Sequence, residues 1–156
     1  MDEELIDSCL EQLQVAWQAL SRRIHGELRY QIAEGITLSQ FFLLREIAHR
    51  GRVTVSEVAA SLGVTLSAVT ALAEKLSRAG LISRSRDAGD RRVVWLELTG
   101  KGTEMLEICR EGRNRVLRRY LGRLPPEDLQ RLVNIYRRLV SAVEAEEGPG
   151  GEAQGG

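Results

Sequence analysis

The chain has 156 residues, with 22 Lys and Arg balanced by 22 Asp and Glu, 43% hydrophobic residues and two cysteines. That length suits one domain with a real core, and two cysteines are too few for a disulfide framework. No apolar run is long enough to span a membrane and no charged, apolar, small-residue leader is present, so the expected location is the cytoplasm. The zero net charge hides a separation. Asp2, Glu3, Glu4, Asp7 and Glu11 stand unopposed at the start and Glu144, Glu146, Glu147 and Glu152 at the end, while arginine concentrates in the middle.

Ile6, Leu10, Leu13, Trp17, Leu20, Ile24, Leu28 and Ile32 recur at three- and four-residue steps, which predicts a long helix over about 4–33. Its apolar stripe is longer than a small fold needs to cover itself. Two helix starts follow with one device. Ile36-Thr37-Leu38-Ser39-Gln40-Phe41 and Val53-Thr54-Val55-Ser56-Glu57-Val58 each place an apolar residue, a Thr cap, a Gln or Glu three residues later and a second apolar residue beside it. That is a capping box with a hydrophobic staple. Val64-Thr65-Leu66-Ser67-Ala68-Val69 keeps the cap and staple but has Ala68 where the box wants Glu or Gln. One backbone donor there stays free, and a free donor at a positive helix end suits a phosphate; a solvated helix start is the alternative.

Val55 to Leu81 reads as two short helices around a tight turn. A helix-turn-helix needs a small residue in the first helix, a glycine in the turn and a branched apolar residue in the second, and Ala59, Gly63 and Val69 meet those needs. Val58, Leu62, Val64 and Leu72 fill the other inward positions, leaving Ser67, Thr70, Ala71, Glu74 and Lys75 looking outward from a helix over Leu66 to Ala79.

After Gly80 the pattern changes to strands: 81–86, a turn at 87–90, then 91–98. Alternation puts Val94, Leu96 and Leu98 on the buried face and Val93, Trp95 and Glu97 on the other. Arg84, Arg86, Arg91 and Arg92 crowd this hairpin. A charge run is usually a solvated face, but beside a helix-turn-helix arginine enters a minor groove or holds phosphates. Thr99 then caps a helix to about Leu121, and Pro125-Pro126-Glu127-Asp128 starts another, whose stripe is Leu129, Leu132, Val133, Tyr136, Leu139, Val140 and Val143. Residues 147–156 are acidic and Gly-rich and read as a mobile tail.

Thr54 to Gly102, with Ala59, Leu62-Gly63-Val64, Ser67-Ala68-Val69-Thr70, Leu76, Gly80-Leu81-Ile82, Asp90-Arg91-Arg92 and Leu98-Thr99-Gly100-Lys101-Gly102, resembles the winged helix-turn-helix of the MarR family of bacterial transcription regulators. The Asp-Arg-Arg tip beside Leu-Thr-x-x-Gly is its most specific element. The resemblance implies a mainly α fold with a small β-hairpin wing. It implies one domain over 1–146, with a winged helix-turn-helix at about 37–98 and dimerisation helices at about 4–33 and 100–146. It also implies a repressor that binds an inverted repeat in double-stranded DNA as a homodimer and is released by a small-molecule ligand.

Carried onto this sequence, the DNA-binding residues are Thr65, Ser67, Thr70, Ala71, Lys75, Arg84, Arg86, Asp90, Arg91 and Arg92. Ser67 and Thr70 donate to phosphates or base edges, Ala71 touches a thymine methyl, and Lys75, Arg84 and Arg86 hold phosphates. Family members often carry a large basic residue in place of Ala71, so specificity leans on the wing and on DNA shape. There Arg92, or Arg91 if the register shifts by one, enters the minor groove while Asp90 steadies it.

Members of the family bind small aromatic or anionic effectors between the dimer helices and the DNA-binding lobe. Trp17, His25, Phe42, Arg45 and His49 are the candidate lining residues, with ordinary packing as the alternative. In the peroxide-sensing branch the place of the sensor cysteine corresponds to Leu13 here. Cys9 lies one turn earlier and no tyrosine precedes Tyr30, so Cys9 reads as a surface or core residue.

An enzyme is not expected. His25 and His49 are the only histidines, metal-ligand spacing is absent, and Ser39, Ser56 and Ser67 lack a glycine elbow. No metal or cofactor is called for. The remaining class is a winged helix that holds a protein partner, and the wing arginines argue against it.

Overall fold

The computed structural model describes residues 3–31, 33 and 35–147. In chain order these form α1 (Glu3–Gln31), α2 (Leu38–Arg50), β1 (Arg52–Thr54), α3 (Val55–Leu62), α4 (Leu66–Arg78), β2 (Ile82–Arg86), β3 (Val94–Leu98), α5 (Gly100–Leu121) and α6 (Pro126–Glu147). The expected tail beyond Glu147 and Ile32 of the first stripe lie outside the described residues.

Both capping boxes form completely. The Thr37 hydroxyl accepts from Gln40 N–H at 3.2 Å while Thr37 N–H donates to Gln40 Oε1 at 2.9 Å. Thr54 and Glu57 repeat the exchange at 3.2 and 2.7 Å. These reciprocal bonds satisfy orphan donors and fix where α2 and α3 begin. At the start of α4 the Thr65 hydroxyl accepts from Ala68 N–H at 3.2 Å, and the alanine has no side-chain acceptor to return the bond. Gly63 ends α3 with φ 63° and ψ 34°, the left-handed conformation that a Cβ disfavours.

Where a two-stranded hairpin was expected, the sheet has three strands in the order β1-β3-β2, antiparallel throughout. The added strand pairs Val53 with Leu96, both fully buried, and so roots the wing in the core. Also buried are Phe41, Leu43, Leu44 and Ile47 of α2, Val58 of α3, Val69 and Leu76 of α4, and Leu106 of α5. Val64, expected to point inward, is 44% exposed. It follows the glycine turn and precedes the Thr65 cap, so its side chain lies outside both helices.

The Leu-Thr-Gly-Lys-Gly segment docks α5 onto the end of α4. Thr99 N–H donates to the Leu81 carbonyl at 3.1 Å, the Thr99 hydroxyl to the Gly80 carbonyl at 2.6 Å and Lys101 Nζ to the Ala79 carbonyl at 2.9 Å. Thr99 also caps its own helix, accepting from Gly102 N–H at 3.0 Å.

Two compact units share the chain, one up to Val116 and one from Leu117. In the first, the apolar stripe of α1 is exposed at Ile6, Leu10, Leu13, Trp17 and Leu20 and becomes buried at Leu28. In the second, α6 exposes Val133, Tyr136, Leu139, Val140 and Val143. Among the described residues no single helix is long and apolar enough to cross a membrane.

Candidate nucleic-acid interface

Helix α4 buries Val69, Ala73 and Leu76 and exposes Ser67, Ala71, Glu74 and Lys75. Thr70 departs from expectation. It is half-buried, and its hydroxyl donates to the Leu66 carbonyl at 2.9 Å, the i−4 bond open to a β-hydroxyl within a helix. The outward face therefore presents methyl groups, the Ser67 hydroxyl, the Glu74 carboxylate and the Lys75 ammonium. Thr65 stands at the helix start with its hydroxyl engaged as the cap.

Strand β3 begins at Val94, so Arg91 and Arg92 lie in the wing tip rather than on the strand expected from Arg91. Asp87 widens the turn. Its N–H donates to the Val93 carbonyl at 3.0 Å, and its carboxylate accepts from Gly89 N–H at 2.8 Å and Asp90 N–H at 3.1 Å. The other oxygen accepts from Trp95 Nε1 at 2.9 Å, leaving Trp95 half-buried where alternation had placed it on the outer face. The indole first, then the two backbone amides, hold the Asp87 carboxyl below the usual carboxylate range.

At the tip, Asp90 takes Arg92 at three points: Nε and Nη2 at 3.1 Å each, and the Arg92 backbone N–H at 3.0 Å. This bidentate grip lowers the Asp90 carboxyl's proton affinity while leaving the Arg92 side chain 91% exposed. The Asp90 carboxylate thus singles out Arg92 as the oriented guanidinium and leaves Arg91 exposed beside it. Arg84 reaches back to Glu74 of α4 at 3.7 Å, and Arg84, Arg86, Ser77, Ser85 and Val94 line a groove of about 330 Å³ between α4 and the wing.

A second basic feature lies between α2 and α5. Arg45, Glu46 and His49 of α2 and Arg110 and Arg113 of α5 line a cavity of about 440 Å³. Arg45 sits over the Phe42 ring at 5.0 Å and Arg113 over Phe41 at 5.7 Å. Burial, then the charges of Arg45 and Arg110, pull the Arg113 guanidinium below its usual value. Glu46 is turned to other partners, the Ser61 hydroxyl at 2.8 Å and Arg50 Nε at 2.7 Å, which in that order hold its carboxyl low. Two of the five expected effector residues, Arg45 and His49, thus meet here, and Phe42 lies under Arg45 without lining the cavity. Trp17 and His25 do not line this cavity: Trp17 is 61% exposed, and the His25 ring lies 2.8 Å from the Ser21 carbonyl of its own helix. Arg110 and Arg113 carried no sequence signal, because α5 is rich in arginine and only packing decides which ones α2 meets.

A sequence model of the MarR family matches residues 36–94, from the lead-in to α2 to the first residue of β3. The HTH-type transcriptional repressor MdtR of Bacillus subtilis (strain 168) is 34% identical over 142 residues, 90% of this chain and 92% of the relative. This chain belongs to the MarR family. Among solved structures, a MarR family protein from Bacillus stearothermophilus superimposes with a TM-score of 0.75 at 26% identity, covering 92% of this chain and 99% of that one. A MepR-like protein complexed with pseudoligands gives 0.62 at 28% identity, covering 85% and 94%. The MarR family consists of DNA-binding transcription regulators, not enzymes, and α3, α4 and the β2–β3 wing form this member's winged helix-turn-helix. Of its two thiols, Cys9 is exposed on α1, whereas Cys109 is buried and its thiol is pushed up by that burial, which makes it a poor nucleophile.

Proposed function

We propose that this MarR-family regulator is a repressor acting in the cytoplasm, where it binds an inverted-repeat operator in double-stranded DNA as a two-fold homodimer. The observation that carries the reading is the pairing of an exposed, Asp90-oriented Arg92 with the neighbouring face of α4. In this reading Arg92 enters a minor groove, where narrowing focuses negative potential, with Arg91 beside it and Asp90 as its mount. Ser67, Ala71 and Lys75 face the major groove, Thr70 offers only its methyl, and the α4 start at Thr65 with Arg84 and Arg86 holds phosphates. The exposed stripes of α1 and α6 support a second copy as their cover, since contiguous apolar surface of this kind marks an association site. One recognition helix per chain then gives half-sites about 10 base pairs apart, centre to centre.

The cavity of Arg45, His49, Arg110 and Arg113 is the effector site in this reading, and its cations over aromatic rings select a small anionic, aromatic molecule. Pseudoligands bound to the MepR-like relative agree with an effector.

Footprinting on a duplex selected from a randomised pool, with sedimentation of the protein at micromolar concentration, tests the proposal. Two symmetric protected half-sites and a dimer are expected, and Leu13→Glu with Leu139→Glu should dissociate it. Protection of a single half-site, or a wild-type monomer, would overturn the reading.

A further inference from the structure

Trp95, like Leu96 and Glu97, has a partner on both neighbouring strands, and of the three it stands nearest the wing tip. It pairs with Thr54 of β1 on one side and Ser85 of β2 on the other. The Arg52 guanidinium of β1 lies over its ring at 4.4 Å and is itself tied to Glu97 at 2.9 Å. The ring is thereby held from behind, and its N–H points forward to Asp87 Oδ2 at 2.9 Å.

Asp87 in turn has no spare acceptor for its turn. Oδ1 serves the backbone N–H groups of Gly89 and Asp90, so Oδ2 is the oxygen left to fix the carboxylate's direction. Residues 88–92 have no ladder partner, and beyond the Val93 N–H to Asp90 carbonyl bond at 2.9 Å their shape depends on this carboxylate and on the Asp90–Arg92 grip that follows it. Arg84 and Arg86 differ, because strand pairing with Leu96 and Val94 holds them whatever the tip does.

We propose that Trp95 is a positioning residue for DNA reading: its indole N–H latches Asp87, the latched carboxylate shapes the 87–92 turn, and the turn aims the Asp90–Arg92 pair before DNA arrives. The inference rests on the wing reading proposed above. With its N–H engaged and Arg52 over the ring, Trp95 is a mount for the reading residue and does not itself touch DNA. A tip ordered in advance loses less freedom on binding, so the latch acts on the groove contact. The phosphate contacts, which set salt dependence, lie on the paired strand and stay as they are.

Trp95→Phe keeps a ring under Arg52 and removes the donor, while Asp87→Asn keeps one oxygen for the Gly89 and Asp90 amides and turns an NH2 donor toward the indole N–H in place of its acceptor. Each is compared with wild type on a duplex selected by the wild-type protein and on a random-sequence duplex of equal length. Each change is expected to weaken binding to the selected duplex at least about fivefold, the low end for loss of a groove contact. Random-duplex affinity, the slope of affinity against salt and the melting temperature should stay near wild type. The double variant should be no weaker than the stronger single one, since both remove one interaction.

Wild-type affinity in both single variants, equal loss on both duplexes, or additive losses would each overturn the latch. If Trp95→Phe does not fold, Asp87→Asn alone decides. Arg92→Ala separates the two levels. Should it weaken selected-duplex binding while the latch variants do not, only this inference falls; should it have no effect, the DNA-reading wing falls as well.

Discussion

Gly102 lies so close to Leu81 that a Cβ built on it would sit 1.9 Å from the Leu81 carbonyl oxygen. That carbonyl already accepts from Thr99 N–H at 3.1 Å, and the Thr99 and Lys101 side chains bind the two carbonyls before it. The start of α5 is thus pressed onto the turn between α4 and β2, and this turn sets the angle between recognition helix and wing. Close approach of two backbones is the reason the segment ends in glycine.

Gly102→Ala should therefore destabilise the fold by about 2–3 kcal/mol, at the upper end of overpacking costs, because backbone and not a flexible side chain must give way. Gly100→Ala, with nothing within 4 Å of the added Cβ, is the control and should be close to neutral. Chemical denaturation of the two variants checks this, and equal stabilities would contradict it.

On the recognition helix, Thr70→Val should leave operator preference unchanged, since the hydroxyl it removes faces the Leu66 carbonyl and the methyl is kept. Ala71→Arg should change the selected sequence toward guanine at one position per half-site, with discrimination of about 1–3 kcal/mol, because a guanidinium reads guanine bidentately. Selection from randomised duplexes with each variant is the measurement. A preference altered by Thr70→Val and untouched by Ala71→Arg would mean that α4 meets DNA by another face.

The wing should lose its order only in strong acid. Asp87 has a lowered folded value, so its bonds are fully present above the unfolded carboxyl value of about 3.9 and are lost as pH falls through the lower folded value. The indole N–H resonance of Trp95, followed by NMR, should stay constant from neutral pH to about 4 and shift with a midpoint below 3.9. A midpoint at or above that figure would show the carboxylate to be unbound.

In the α2–α5 cavity, Arg113→Met keeps an unbranched apolar stem and removes the guanidinium that lies over Phe41. Benzoate, as a simple aromatic anion, should raise the melting temperature of the wild type and shift the Arg113→Met protein much less. Benzyl alcohol, which lacks the charge, should do little to either. Equal shifts from the anion and the alcohol would argue for an apolar site.

Much of the fold was legible because its signals are local. Capping boxes at Thr37 and Thr54, Gly63 in the turn, and the stripes of α1 and α6 each act within a few residues, and the helices begin within a residue or two of where those signals stand. The helix-turn-helix face and the arginine-rich tip were legible for the same reason. Strand β1 was not: three residues are too few for a period, and its Val53-Thr54 also reads as the lead-in to a helix.

What the sequence by itself determined, then, is the order of the helices and of the two wing strands, the family and which residues carry charge near the tip. Tertiary structure alone decided how that charge is held. Alternation put Trp95 outward, and its N–H there meets Asp87 across a tip that is wider than four residues and keeps Arg91 and Arg92 off the strand. The choice of Arg92 over Arg91 came from the direction of one carboxylate, and the choice of Arg110 and Arg113 among the arginines of α5 came from which of them faces α2. Such choices depend on approaches between residues far apart in the chain, which periodicity and capping do not encode.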